Sequence, residues 1–449
     1  MLKAIEKINA YHSAGLGYRL DREFDFALSI AHKNVEKLLQ LGFSCLDIDD
    51  YVSALKVLAF IEGELGDDAQ LKLAQNNIVS LHLFRAKLNS GIGNLKESQK
   101  YFDLLDPKSP LPEIRWSIGL NDLYRGRYER GWCLYEDRFN THSNRILHVY
   151  PFKFPKWDGL FKQQGAILVH GEQGLGDEIM YASFIKELKA RATLSGTTIY
   201  LASAPPVYEL FVDSFPGLIH LKHSRGPQDV DAWESGFEPL WLNELPLNTE
   251  QISIGSLPHS LVMTLPAKEI YLQPSISQVT RFGEILSKKL SSKRGRKLRV
   301  GLAWCANLRT PFGQSKSIPV EMFSRLSCLP WIEFVGIQGH EYGHLVQRAP
   351  DLKIIDLHDY LTDLQHVAAI IQNLDLVVSV DTSYCHLAGA LGKSCIALLK
   401  KGHDWRFGVG DASPFYLDMS LIRQTVSQDW AKPIELLESD LFSAYSRLA

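Results

Sequence analysis

The chain has no cysteine pair at metal- or redox-motif spacing. Its six cysteines (Cys45, Cys133, Cys305, Cys328, Cys385, Cys395) are scattered over 449 residues without a C-x-x-C. That leaves no C-x-x-C redox or zinc motif, and the cysteines are most simply reduced, partly buried thiols of a cytoplasmic protein. An excess of one charge is also lacking: the formal net charge is −3, which gives nucleic acid no electrostatic footprint. No apolar run reaches membrane-spanning length, so no transmembrane segment is expected, and Met1-Leu-Lys-Ala-Ile-Glu-Lys7 lacks the apolar core of a signal peptide. Neither the Walker phosphate loop nor the spaced-glycine dinucleotide fingerprint occurs, which disfavours a nicotinamide dehydrogenase.

Two strand-to-helix junctions stand out among what is present. Leu376-Val-Val-Ser-Val380 reads as a buried strand that runs through Asp381-Thr382-Ser383 straight into a helical pattern, with small residues at Ala388, Gly389 and Ala390 for close packing. Free N–H groups and partial positive charge at such a helix start suit a phosphate; equally, Asp381 or Thr382 serves as an ordinary helix cap. The second junction is Ala166–His170, then Gly171-Glu-Gln-Gly-Leu-Gly-Asp177, then an amphipathic helix from about Asp177 to Arg191 with Ile179, Ala182, Ile185 and Leu188 on one face. Its glycines (Gly174 and Gly176 among them) permit close ligand approach, and Asp177 reads either as a first-turn carboxylate favoured by the helix dipole or as a general base at a cleft.

Three regions follow along the chain. Residues 1–145 are helical, with apolar residues at spacings of three and four in Phe24–Leu41, Tyr51–Leu65 and Leu71–Leu88. A period of 33 relates Gly93, Leu95, Ser98 and Phe102 to Gly126, Tyr128, Gly131 and Tyr135, close to the tetratricopeptide (TPR) period, with small residues where paired helices touch. Residues 146–295 hold strand candidates Ala166–His170, Thr197–Ala202, Leu218–Leu221 and Ile270–Leu272, and a helix around Ser277–Leu290. The basic run Lys288–Arg299 reads as a solvated linker. Residues 296–449 hold strand candidates Leu298–Trp304, Glu333–Gln338, Lys353–Asp356, Leu376–Val380 and Cys395–Leu399, and a closing helix Ile434–Arg447 poised to pack across the domain boundary. Strands alternating with helices imply parallel sheets: an α/β chain with an all-α front.

These loops, with Gly126-Arg-Tyr-Glu-Arg-Gly-Trp132, Pro155-Lys-Trp-Asp-Gly159, Lys316-Ser-Ile-Pro319, Asp404-Trp-Arg406 and Arg423-Gln424, resemble glycosyltransferase family 9, typified by the bacterial ADP-heptose lipopolysaccharide heptosyltransferases, in a branch with a helical-repeat front. The resemblance covers roughly residues 110–449. It implies two Rossmann-like domains in the glycosyltransferase-B arrangement, the first on the acceptor side and the second holding the donor. The implied activity is inverting, metal-independent sugar transfer from a nucleotide sugar to a hydroxyl of a protein or glycan, in the cytoplasm or peripherally at the inner membrane. No cofactor, metal or nucleic acid is implied. A lipopolysaccharide or polysaccharide heptosyltransferase and a catalytically silent TPR scaffold are the alternatives.

Carried over residue by residue, the resemblance makes Asp177 the base and Lys316 a phosphate contact, with Thr382, Ser383 and the amides near Tyr384 at the leaving group. Asp381 holds donor hydroxyls or caps the helix; His386 contacts the donor or fills the core. Asp404 and Arg406 touch the nucleotide or hold their own loop by an ion pair, and Asn307 is a further contact. The chain departs from the family pattern at Ser383, Tyr384, Cys385 and Lys400-Lys-Gly-His403, which puts the donor's identity in question. The stretch His340-Glu-Tyr-Gly-His344 meets zinc-protease spacing, but Gly339 and Gly343 argue against the continuous helix this needs. The helical front is expected to recruit the acceptor, so that its deletion spares slow donor hydrolysis.

Overall fold

The computed structural model describes residues 17–31, 34–65, 74–141, 150, 152–225, 238–290 and 297–446. The chain start and residues 291–296 of the basic run lie outside them.

The front region is a succession of antiparallel helices. They are α1 (Gly17–Ala31), α2 (Val35–Asp47), α3 (Tyr51–Leu65), α4 (Gln75–Gly91), α5 (Leu95–Phe102), α6 (Pro112–Tyr124) and α7 (Tyr128–Tyr135). The apolar periodicity of Phe24–Leu41 conceals a break: Asn34 ends the run and caps α2, its side chain accepting from Lys37 N at 3.0 Å. The 33-residue period has a physical basis. Gly93 and Gly126 take φ of +74° and +77° at the turns of the pairs α4–α5 and α6–α7. Within the pairs, the Ser98 hydroxyl donates to Ala86 O at 2.9 Å, and a Cβ on Gly131 would stand 2.7 Å from the Leu123 side chain.

Two all-parallel sheets follow. The first has the order β3-β2-β1-β4, from β1 (Ala166–His170), β2 (Thr198–Ser203), β3 (Ile219–Lys222) and β4 (Thr249–Ser253). The second has the order β10-β9-β8-β5-β6-β7, from β5 (Leu298–Ala303), β6 (Ile332–Gly336), β7 (Ile354–Ile355), β8 (Leu376–Val380), β9 (Cys395–Leu399) and β10 (Met419–Arg423). The buried runs of β1, β8 and β9 reflect helices on both sheet faces.

Several expectations need correction. Ile270–Leu272 is not a strand: the amides of Tyr271 and Leu272 donate to Ala390 O, both at 3.2 Å. Tyr271 and Leu272 bury against the far end of a helix while Ile270 stays exposed, so the segment is the crossing between lobes. The fourth strand of the first sheet is instead Thr249–Ser253, whose polar residues Thr249, Glu250, Gln251 and Ser253 hide it from an apolar-run reading. Met419–Arg423 is an added strand in the second sheet. The helix Ile276–Lys289 lies against Leu364–Gln372 of the second lobe, with Asn373 Nδ2 donating to Val279 O at 2.9 Å. The closing helix Ala431–Ser446 does not cross a boundary; Ile434, Leu437 and Leu441 join the core under β5, β6 and β8.

The front is no separate lobe. Leu123, Tyr124, Trp132 and Tyr135 belong to the same buried cluster as Tyr181 of the first lobe and Trp405 of the second. Trp132 stacks edge-on against Trp405 at 5.5 Å and donates its indole N–H to Thr264 O at 2.7 Å.

Candidate functional site

The first-lobe junction folds as its glycines suggest, with one addition. Residues Leu175–Tyr181 form a short helix whose first turn reaches back to its own start: Asp177 Oδ2 accepts from Gly174 N at 3.0 Å. A 3-10 turn at Ala182–Phe184 separates it from the helix Ile185–Ser195, yet Ile179, Ala182, Ile185 and Leu188 all face the core as the periodicity requires. Asp177 Oδ1 forms an ion pair with Arg406 of the second lobe. One oxygen thus closes the helix start, and the other faces the second lobe across the cleft.

In the second lobe the cap role falls to Thr382, whose hydroxyl accepts from Tyr384 N at 3.3 Å at the start of the helix Ser383–Ala390. That frees Asp381, which pairs with Lys316 Nζ at 3.3 Å. Lys316 also lies 4.5 Å from the centre of the Phe312 ring, and Lys400 lies 4.6 Å from the same ring. The loop under Lys316 is tight: the Thr310 hydroxyl accepts from Gly313 N at 3.0 Å, and a Cβ on Gly313 would stand 1.9 Å from Asn307 O. Asn307 Oδ1 in turn accepts from Tyr342 Oη at 3.2 Å.

These elements meet in one cleft of about 760 Å³. Gly174, Gly176 and Asp177 line it from the first lobe. Asn307, Lys316 and Asp381 line it from the second, with Thr382, Ser383, Tyr384 and His386 of the helix and Asp404 and Arg406 of the following loop. The candidate base and every candidate donor contact named from the sequence thus line this one cleft. Gly176 makes the approach of the lobes possible, because a Cβ there would come within 2.9 Å of the His386 ring.

His386 is buried and donates to or accepts from Tyr416 Oη through Nδ1 at 2.8 Å, while its ring stacks on Phe407. Burial holds its pKa below the usual histidine range, so it sits neutral. Arg406 is the most connected side chain of the site. It pairs with Asp177, with Asp404 at 2.7 Å and with Gln173 Oε1 at 3.1 Å, and lies 4.6 Å over the Trp405 ring. Burial opposes ionisation of Asp404, but the Arg406 guanidinium outweighs it and holds the carboxyl below its usual range. The loop does hold itself by an ion pair, and it also reaches across to the first lobe.

Asp381, Cys385 and His386 bring three ligand atoms within 4.8 Å of one another. Their chemistry suits a metal poorly. Lys316 stands on the carboxylate, His386 Nδ1 is engaged by Tyr416, and burial pushes the Cys385 thiol up to about 12. His340-Glu-Tyr-Gly-His344 is one short α turn, His340–Gly343, followed by a 3-10 turn from His344, not a continuous helix.

Several residues of the site were not legible in sequence. Gln173 lies inside the glycine loop with φ of +57°. Glu172 is fully buried beside Arg138 of the front region, the two side chains 3.1 Å apart. Asp49, in the α2–α3 turn, pairs with Lys400 at 2.5 Å and accepts from the Ser315 hydroxyl at 2.6 Å. Burial opposes the charge on Asp49, but Lys400 and hydrogen bonds from Ser315 and Tyr51 hold its carboxyl below the usual range. The stretch Lys400-Lys-Gly-His403 is therefore a seat for the front helices rather than part of the donor pocket. Gly402, at φ +69°, would collide with Gly91 O if it carried a Cβ, and His403 packs on Tyr124.

Comparison with known proteins places this cleft in context. Residues 361–409, which include the helix start and the Asp-Trp-Arg loop, match the model of glycosyltransferase family 9 (heptosyltransferase), and the chain resembles that family. Protein FlbA of Caulobacter vibrioides is 25% identical over 299 residues, which are 62% of this chain and 46% of that protein. The chain thus spans about half the length of the curated relative it matches. Among solved structures, the Escherichia coli ADP-heptose lipopolysaccharide heptosyltransferase II is 16% identical with a TM-score of 0.42, covering 63% of this chain and 100% of that one. A family 9 glycosyltransferase from Veillonella parvula is 14% identical with a TM-score of 0.44, covering 63% and 91%. An O-GlcNAc transferase from Thermobaculum terrenum is 12% identical with a TM-score of 0.30, covering 98% and 86%. Among the described residues no helix is long and apolar enough to cross a membrane.

Proposed function

We propose that the chain is an inverting glycosyltransferase that moves a sugar from a nucleotide-sugar donor to a hydroxyl of a protein or glycan, without a metal. One observation supports this above others: a carboxylate of the first lobe faces an ammonium and a helix start of the second lobe across a single cleft. In this reading the sheets are two Rossmann-like domains in the glycosyltransferase-B arrangement, and the helix pairs are TPR-like.

Asp177 takes the proton of the acceptor hydroxyl. Each carboxylate oxygen has two lone pairs, so the contacts to Gly174 N and Arg406 leave room for a third partner. Lys316 and the backbone amides after Thr382 meet the negative charge that gathers on the departing nucleoside diphosphate. Asp381, already drawn to Lys316, exchanges that contact for donor hydroxyls when the lysine turns to phosphate.

The heptosyltransferase reading has support of its own in the family description matched by residues 361–409. Turnover with ADP-heptose against a panel of nucleotide hexoses separates the two donors. Asp177→Asn is expected to lose about 100-fold or more in turnover while donor binding persists. Undiminished turnover would overturn the assignment of the base, and failure to bind any nucleotide sugar would favour a silent scaffold.

A further inference from the structure

Gln173 occupies a conformation that costs it something. At φ +57° it lies in the left-handed region, in a loop where glycine stands at three of the six other positions. A side chain there costs about 1 kcal/mol relative to glycine, and the two contacts of its amide are ones that glycine cannot make.

That use is visible in its two hydrogen bonds. Nε2 donates to Tyr135 Oη at 2.7 Å, and Oε1 accepts from Arg406 Nη2 at 3.1 Å. Tyr135 belongs to the last front helix, Arg406 to the second lobe, and Arg406 ends on Asp177. One amide, offering a donor at one end and an acceptor at the other, therefore joins three parts of the chain at the candidate base. The anchors at both ends are firm. Tyr135 is buried against Trp132 and Trp405, and Arg406 is clasped by Asp404 and the Trp405 ring.

We propose that Gln173 is a positioning residue through which the front helices fix Arg406, and through it the orientation of Asp177. The inference rests on the reading of Asp177 as the base. It makes the front region part of the active site and not only a recruiting module, so a partner that shifts the last helix alters turnover directly.

The test uses the full chain and measures kcat, donor KM and melting temperature together. Gln173→Gly relieves the backbone and removes the amide. It is expected to shift the melting temperature little, relieved strain offsetting the two lost hydrogen bonds, to lower kcat by about tenfold to a hundredfold, and to change donor KM less than about twofold. Tyr135→Phe, which keeps the ring, moves kcat in the same direction. Gln173→Glu, whose carboxylate accepts from both the tyrosine hydroxyl and the guanidinium, recovers most of the loss. The double variant Gln173→Gly/Tyr135→Phe is no slower than Gln173→Gly, because both act through one relay. Normal kcat in Gln173→Gly, or a fall in kcat that only tracks a fall in melting temperature, overturns the relay. Asp177→Asn run alongside distinguishes the two claims: if it is inactive while Gln173→Gly is normal, the base stands and the relay falls. If Asp177→Asn is active, the base assignment itself falls.

Discussion

Replacing Arg138 by methionine tests how firmly the front region holds the glycine loop. The guanidinium is fully buried and donates to Glu172 at 3.1 Å, Glu136 at 2.8 Å, Ser256 at 2.8 Å and Tyr135 O at 3.1 Å. Burial works against its charge, but Glu172 and Glu136 more than compensate and raise its pKa above the usual arginine range. Methionine fills similar volume but leaves Glu172 with no exposed side-chain surface and no cation. Glu172 Oε1 already lacks a partner, and a Cβ on Gly255 would stand 1.6 Å from it, so the carboxylate has nowhere to turn. Breaking a buried ion pair from one side costs about 3–5 kcal/mol, and that is the expected loss in unfolding free energy. Denaturant titration followed by tryptophan fluorescence reads it, since buried Trp132 and Trp157 report on this junction. Adding Glu172→Gln should recover at least half of the loss, because the stranded charge is then gone. A cost under about 1 kcal/mol, or a double variant as poor as the sum of the singles, would refute the argument.

Other outcomes follow from the same geometry. Burial lowers His170 and His403 to about 4 and His223 to about 3, so the folded state keeps them neutral where the unfolded chain protonates them. Stability is therefore full above the ordinary histidine value of 6.5 and is lost as pH falls from there toward 4, by up to about 3 kcal/mol per histidine; a flat melting temperature between pH 7 and 4.5 would contradict this. Asp49→Asn leaves the nearly buried Lys400 ammonium without its carboxylate and should lower stability by about 2–4 kcal/mol and weaken donor binding through the Lys316 loop, read by thermal melting and by donor titration. Gly176→Ala should reduce turnover by forcing His386 away, measured as kcat with donor binding as control; wild-type kcat would show that the lobes need not meet so closely. Removing residues 1–141 should abolish donor hydrolysis as well as acceptor transfer, since Trp132 and Tyr135 form the wall behind Trp405. Hydrolysis at the full chain's rate would restore the separable front that the sequence alone suggests.

Local chemistry is what a sequence displays, and where function rested on local chemistry it could be read. The glycine loop, the Thr382 helix start and the buried runs of β1, β8 and β9 are each specified by residues within a few positions of one another. Glycines permit the turns, hydroxyls cap the helix, and unbroken apolar runs require a sheet covered on both faces. Polar β4 escaped notice because its burial comes from neighbours, and Ile270–Leu272 was misread because its hydrogen bonds end on a helix instead of a strand. Lys400-Lys-Gly-His403 departs from the family pattern because its partners, Asp49, Gly91 and Tyr124, lie 279 or more positions away in the chain.

The order of residues alone determined that one anion-friendly helix start and one glycine loop bearing a carboxylate would exist, because φ/ψ freedom, capping and amphipathic period are properties of neighbouring residues. Only the tertiary structure decided that Asp177 would meet Arg406, that Gln173 would bridge to Tyr135, and that the front helices would pack behind the cleft on Trp405. Those pairings join distant segments, and their energy comes from burial and charge compensation between surfaces that come together only when the whole chain has packed.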